Sequence, residues 1–436
     1  IPQIQPVTDK MRFLTAALGF ALPFAAAKVS YDGYKAFRID DELDYAGVQK
    51  ALSDISFISL SVENARKGVE IAVAPESIKA FEALGLNTHV VHEDLGADIA
   101  LEGQFKPYRA SVKAFNANSS AELPDISYFN SYHELADHHQ FLDDISAYLP
   151  DNSETFVAGK SVEGRDIKGI HLYGKEGAGK KPAIIWHGTV HAREWITGVT
   201  VEYLLYKIAE GYKKTGDEST ATTLDNYDFY IIPVVNPDGF VYTTAEDRMW
   251  RKNRQVRQGK TCVGTDMNRN WPNQWDIPGG SSPEACSETY RGEAAGDTPE
   301  IAALTNHTLK VADAAGIKWY VDWHSYSQLI LTPYGYDCNT DPANLDRQLE
   351  LAGGLAKAIK SVHGVEFVYG PTCKTIYQAA GGSMDWVYDV AEAELAWGIE
   401  LRPGSDDSNG FVLPPDQIVP SGEEQWAGAK WVFANF

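Results

Sequence analysis

Two residues set the first chemical question: His191 and Glu194, three apart in His191-Ala-Arg-Glu-Trp195. An imidazole and a carboxylate at this spacing can grip one metal ion. A His-x-x-Glu on its own is common by chance in a chain of this composition. Two further polar residues give it company. His324 and Glu400 stand at the ends of apolar runs, 319–323 and 394–399, whose buried strands have no structural need of them. His191, Glu194 and His324 form a His2Glu set with a fourth position left for water, the ligand count of a catalytic zinc site; a zinc ion there lowers the pKa of its water to about 7. Glu400 is then a carboxylate outside the ligand set, suited to take a proton from water and return it to a leaving amine. The plain alternatives are a hydrogen-bonded core histidine at 324 and an ion pair between Glu400 and Arg402.

Cationic groups gather in two loops, Met249-Trp-Arg-Lys-Asn-Arg254 and Asp266-Met-Asn-Arg-Asn-Trp271. An Arg fork suits bidentate recognition of a carboxylate, and a second Arg near a metal could stabilise an oxyanion. Lys252, Arg254 and Arg257 read as ordinary solvated charges. So do His89 and His92 as ordinary strand residues, since valines flank them and no ligand pattern surrounds them.

The elements that must position these groups follow an α/β rhythm from residue 131 onward. Helical periodicity covers 132–148, 196–212, 298–315, 345–363 and 421–434, and apolar strand patterns cover 155–158, 167–172, 182–186, 229–235, 319–323 and 394–401. Alternation of this kind predicts a mixed, mostly parallel central sheet with helices on both faces, and such sheets bind ligands at the carboxyl ends of their strands. Residues 28–118 predict a small α/β unit, with strands at 29–39, 69–73 and 89–92 and helices at 44–55 and 77–84. The small polar stretch 114–125 is the best linker.

Composition narrows the setting. The chain has 436 residues, a 44% hydrophobic share and a formal net charge of −22. That is ample material for a core, and the charge repels nucleic acid and anionic membranes. Residues 11–27 carry a basic start, a short apolar core and a small-residue exit, the pattern of a secretory signal, and residues 1–10 read as an upstream extension. No other stretch is long and apolar enough to span a bilayer. Four cysteines, Cys262, Cys286, Cys338 and Cys373, fit two disulfides in an oxidising compartment. Three pairings are open; nearest-neighbour pairing would close two loops worth roughly 3 kcal/mol each in the chain-entropy model. Asn118 and Asn306 head glycosylation sequons that matter only if the chain is exported.

Taken together, His191-Ala-Arg-Glu-Trp195, Asp266-x-Asn-Arg-Asn270, His324-Ser-Tyr-Ser-Gln328, Ile376-Tyr-Gln378 with Gly-Ser-Met-Asp-Trp386, and Ile399-Glu-Leu-Arg402 resemble the zinc metallocarboxypeptidases of the pancreatic A/B type. The similarity spans about residues 125–436, and residues 28–118 resemble that family's activation propeptide. The resemblance implies one Zn2+ held by His191, Glu194 and His324, with Asp266 orienting His191. It implies Glu400 as general base and then acid, and Arg251 as the group that polarises the scissile carbonyl. Asn268, Arg269 and Tyr377 would hold the substrate's terminal carboxylate, and Arg193 and Tyr326 would line subsites before the scissile bond. Met384 falls at the base of the terminal side-chain pocket, where basic-residue enzymes carry an acid, and Gly398 would widen that pocket. The preference implied is for aromatic or large aliphatic residues; a one-residue shift would instead put Asp385 at the base and favour basic ones.

The expected organisation is therefore an extension and signal peptide over 1–27, a propeptide domain over 28–118 and a catalytic domain over 119–436. The expected protein is a secreted, monomeric proenzyme acting on peptide C-termini after an activating protease removes the propeptide, with no nucleic-acid or membrane partner. Two other readings use the same residues: a deacylase of N-acyl amino acids on this scaffold, and a non-catalytic peptide-binding relative, which should have lost a ligand or the base.

Overall fold

The computed structural model describes residues 28–62, 68–108, 122–213, 218–405 and 407–436. The signal and extension over 1–27, most of the linker, and the Asn118 sequon lie outside them. An eight-stranded mixed sheet forms the frame. Its strands are β5 (Ser153–Lys160), β6 (Asp166–Leu172), β7 (Ala183–Gly188), β8 (Asp228–Ile232), β9 (Ile317–Ser327), β10 (Leu329–Thr332), β11 (Val368–Pro371) and β12 (Leu395–Gly404). They run in the order β11-β10-β12-β9-β7-β8-β6-β5. The central four, β12, β9, β7 and β8, are mutually parallel, whereas β10 and β6 join them antiparallel.

Parallel strands covered on both faces should read as continuous apolar runs rather than as alternations. That is the case for Ala183-Ile-Ile-Trp186 and Trp319-Tyr-Val321, all buried. One face packs Ile184, Trp186, Trp319 and Trp397 against helices Leu135–Tyr148, Trp195–Lys213, Leu345–His363 and Ile418–Asn435. The other packs Ile185, Tyr320 and Ala396 against helices Pro299–Ala315 and Ser383–Asp389. Rings of Trp186 and Trp319 meet edge to face at 5.6 Å, and those of Trp319 and Trp397 at 5.3 Å. Such pairs add about 1 kcal/mol beyond the area they bury.

The N-terminal unit is a separate four-stranded antiparallel sheet. Its strands β1 (Lys35–Ile39), β2 (Phe57–Ser59), β3 (Val69–Val73) and β4 (Thr88–His92) run in the order β2-β3-β1-β4. The short strand β2 and the helix Leu95–Glu102 were not foreseen, nor were β10, β11 and the helix Ser383–Asp389. All are short, and a periodic pattern needs more residues than these to stand out. Cys262 is bonded to Cys286 and Cys338 to Cys373. Among the described residues no helix is long and apolar enough to cross a membrane.

Candidate active site

The His191 loop leaves the end of β7 and enters the helix Trp195–Lys213 within six residues. Hydroxyls hold this sharp turn. Thr197 Oγ1 accepts from the Thr189 amide at 2.8 Å and donates to the Glu194 carbonyl at 2.7 Å. Thr189 itself takes φ +57°, a region costly for a β-branched residue, and its hydroxyl donates to the Pro233 carbonyl at 3.0 Å. The Ala192 amide donates to the Arg251 carbonyl at 2.9 Å, so the metal loop and the first cationic loop are tied through their backbones.

The strand register brings in the rest. β9 and β12 are parallel neighbours, and Glu400 stands directly opposite His324. His191 Nδ1 lies 2.8 Å from Glu194 Oε1, and His324 Nδ1 lies 3.2 Å from both Glu194 Oε2 and His191 Nδ1. One ligand atom from each of the three residues falls within a 4.8 Å group, all three residues being buried. Among the described residues this is the sole such cluster. Two imidazole nitrogens and a carboxylate aimed at one point fit a zinc ion.

The outward nitrogens are also engaged. His191 Nε2 is 3.1 Å from Asp266 Oδ1, and Asp266 Oδ2 accepts from Arg251 Nη2 at 2.9 Å. Asp266 therefore orients a histidine and an arginine at once. Burial opposes its ionisation, but Arg251 and then His191 hold it well below the usual carboxylate range. Glu194 is likewise held low against burial by His191 and His324. Glu400 goes the other way. Burial pushes its carboxyl up to about 8, only partly countered by His324 and reinforced by Glu194. It still lines the cleft, where a carboxyl outside the ligand set is placed to take up and return a proton. The Glu400–Arg402 ion pair does not form: Arg402 is bound to Glu424 instead.

A cleft cavity of about 260 Å³ is lined by His191, Glu194, Arg251, His324 and Glu400 together with Asn268, Arg269, Tyr377, Met384 and Gly398. Asn268 Oδ1 accepts from the Ser383 amide at 2.9 Å, and Arg269 Nη1 donates to the Asn268 carbonyl at 2.8 Å while its Nε is buried without a partner. Asp385 also borders the cavity, but its carboxylate turns to the Gly335 and Tyr336 amides at 3.0–3.1 Å. Met384 presents its thioether, 3.3 Å from Thr372 Oγ1. A Cβ at Gly398 would come within 2.9 Å of Met384 Cε.

Three cations expected in solvent are structural. Lys252 is buried and donates to the Ala285 and Ser287 carbonyls at 2.9 and 3.0 Å. Arg257 grips Asp297 through two bonds of 2.7 and 2.8 Å, and Arg254 stacks on Tyr242 and Trp250. The partners of Lys252 and Arg257 are distant in sequence, which is why the loop composition did not reveal them. His92 bonds Asp98 at 2.8 Å within the N-terminal unit, in keeping with an ordinary strand residue.

The comparisons with known proteins decide the family. The zinc carboxypeptidase family model matches residues 138–428. The chain belongs to the zinc carboxypeptidase family. It is 45% identical over 427 residues to a metallocarboxypeptidase A-like protein of Trichophyton verrucosum, covering 97% of each chain. It is 43% identical over 406 residues to metallocarboxypeptidase A of Arthroderma otae, covering 92% of this chain and 93% of that protein. Among solved structures it resembles thrombin-activatable fibrinolysis inhibitor, with TM-score 0.80, 26% identity and coverage of 93% of this chain and 98% of that one. It also resembles carboxypeptidase A of Helicoverpa armigera, with TM-score 0.74, 27% identity and coverage of 93% and 97%. The chain is thus a zinc-dependent metallocarboxypeptidase, with peptides as its substrates.

Proposed function

We propose that this carboxypeptidase is a secreted, monomeric proenzyme that removes aromatic or large aliphatic C-terminal residues after an activating protease has cut away the N-terminal unit. His191, Glu194 and His324 hold the zinc, and Asp266 aligns His191. The carboxylate of the substrate's last residue pairs with Arg269, supported by Asn268 and Tyr377. Arg251 faces the scissile carbonyl from the other side and stabilises negative charge on its oxygen. Glu400 takes the proton from the attacking water and delivers it to the departing amine, one residue serving as base and then acid.

The preference rests on Met384. Its apolar, adaptable side chain forms the pocket base while Asp385 is committed to backbone amides. Gly398 leaves the volume that a larger residue would fill.

The observation that carries the proenzyme reading is the shared lining of the cleft. Arg38, Leu60 and Glu70 of the N-terminal unit border the same cavity as the zinc residues. Glu70 accepts a hydrogen bond from the Tyr326 hydroxyl, and the Leu60 carbonyl accepts from Arg193 Nη2 at 3.1 Å. Both of the side chains expected to meet substrate upstream of the scissile bond are thereby occupied. Glu102 grips the buried Arg248 through bonds of 2.6 and 2.8 Å, fixing the far edge of the unit. Cleavage in the linker 114–125, just beyond this unit, would release it.

A hydrolysis panel on the processed protein, using peptides ending in Phe, Leu, Lys and Glu, tests the assignment. Phe and Leu should turn over fastest, and a chelator should abolish all activity. Best turnover of Lys would remove Met384 from the pocket base.

A further inference from the structure

Asp322 is the one charged residue inside the run Trp319-Tyr-Val-Asp-Trp323, and it is fully buried. Side chains two apart on a strand share a face, so Tyr320, Asp322 and His324 point to the same side of β9. Across the sheet, His187 of β7 is paired with Asp322, and on the other flank the partner is Gly398, which leaves room beside the carboxylate. Four groups converge there. Asp322 Oδ2 lies 3.0 Å from His324 Nε2 and accepts from Ser383 Oγ at 2.6 Å. Asp322 Oδ1 lies 3.3 Å from His187 Nδ1, a distance of charge proximity rather than a well-formed hydrogen bond. His187 Nε2 meets the Tyr320 hydroxyl. A phenol in this place donates to Nε2, which puts the imidazole proton of His187 on Nδ1, facing Asp322.

We infer that Asp322 is a positioning residue for the ligand His324, and that it joins the metal site to the side-chain pocket. By accepting the Nε2 proton it fixes the tautomer of His324, leaving the Nδ1 lone pair free toward Glu194. Asn268 Nδ2 lies 3.2 Å from the same Nε2, but with Nε2 protonated that contact is not a hydrogen bond. A buried carboxylate needs compensation, and here Ser383 and His324 supply it at Oδ2 while His187 lies beside Oδ1. Ser383 opens the helix Ser383–Asp389, whose next residue is Met384, and its amide donates to Asn268. One carboxylate is thus bonded to a metal ligand and to the element that carries the pocket base, and Asp266 plays the matching part for His191. This inference rests on the reading of His324 as a zinc ligand, and the experiment separates the two.

The test uses the full chain, with zinc affinity measured by competition against a chromophoric chelator. His324→Ala should abolish tight binding. Asp322→Ala should raise the zinc Kd about 10- to 100-fold, the usual cost of removing a ligand's carboxylate partner. Asp322→Asn, which keeps an acceptor oxygen without the charge, should fall between Asp322→Ala and the parent. Long-range 1H–15N spectra of the zinc-loaded parent, labelled at histidine, should show His324 protonated at Nε2 and bound through Nδ1; this reading needs no variant to fold. A His324→Ala protein that still binds zinc tightly would remove the ligand assignment. Loss of zinc in His324→Ala with an unchanged Kd in folded Asp322→Ala would overturn the role of Asp322 alone, as would a parent spectrum with His324 protonated at Nδ1.

Discussion

The sheet of the N-terminal unit buries both faces, but in different company. One face is private: Phe37, Ile39, Val69, Ile71 and Val73 pack with Val48, Leu52 and Phe81 from the unit's own helices. The other is shared: Tyr31, Ala36, Leu60, Ala72, Val91 and Leu95 form a single cluster with Met249 and Val412 of the catalytic domain. The large central sheet has no such division, since both of its faces are covered by helices of its own domain. The private contacts hold the unit's own fold, and the shared ones hold it over the cleft. The private core can survive separation of the two parts. The shared core, with Glu70 on Tyr326, the Leu60 carbonyl on Arg193 and Glu102 on Arg248, exists only while the cleft is closed. Those contacts are polar at the cleft and apolar around it, the composition of an interface that is specific without being as apolar as a core.

The comparison can be broken at several points. The largest effect belongs to the domain that does the chemistry: Glu400→Gln in the processed protein should lower kcat about a thousandfold with zinc content unchanged. A near-normal rate would remove Glu400 from the reaction. Next comes the covering interface. Glu102→Ala leaves Arg248 buried without its carboxylate, a loss of about 3 kcal/mol. The residual hydrolysis of a long peptide by the intact chain should rise severalfold or more, and should not rise if the cleft is open already. The two faces of the small sheet should then separate in a matched pair. Leu95→Ala and Leu52→Ala each cost about 2–5 kcal/mol by cavity formation. Leu95→Ala should raise the intact chain's residual activity, while Leu52→Ala should chiefly lower the unit's own melting temperature. Equal effects of the pair on residual activity would contradict the division into shared and private cores.

The last expected effect, one on stability alone, is a pH slope in the catalytic domain. Burial raises the Asp385 carboxyl to about 7 against the Gly335 and Tyr336 amides that favour its charge. The folded state then holds a proton that the unfolded chain, with a carboxyl near 3.9, gives up. Its contribution is therefore full below about pH 4 and is lost as pH rises through about 7. Replacing Asp385 by Asn should flatten the fall in thermal stability over that window; an unchanged slope would show that Asp385 is ionised throughout.

Much of this was legible in the sequence. His191, Glu194, His324 and Glu400 each follow an apolar run, although β9 and β12 continue past His324 and Glu400 and these two stand inside their strands rather than at the ends; parallel pairing of β9 with β12 places Glu400 beside His324. What escaped depends on contacts between distant segments. Glu102 and Arg248 are 146 residues apart, and nothing local marks them as partners. Lys252 looked like a surface cation because its two carbonyl partners lie more than thirty residues away. Asp322 did carry a signal, a charge inside an otherwise apolar strand, and His187 at the end of the neighbouring run carried a fainter one. Both signals call for buried partners, and only the register places the two residues side by side.

The central claim is that the N-terminal unit covers an assembled zinc site, and its most direct test is turnover of a long peptide ending in Phe by the intact chain and by the chain cut within 114–125, both with equal zinc. Little hydrolysis is expected before cleavage, with a rise of at least two orders of magnitude after it and complete loss on chelation. Equal rates before and after cleavage would contradict the covering role, and activity that survives chelation would contradict the zinc site itself.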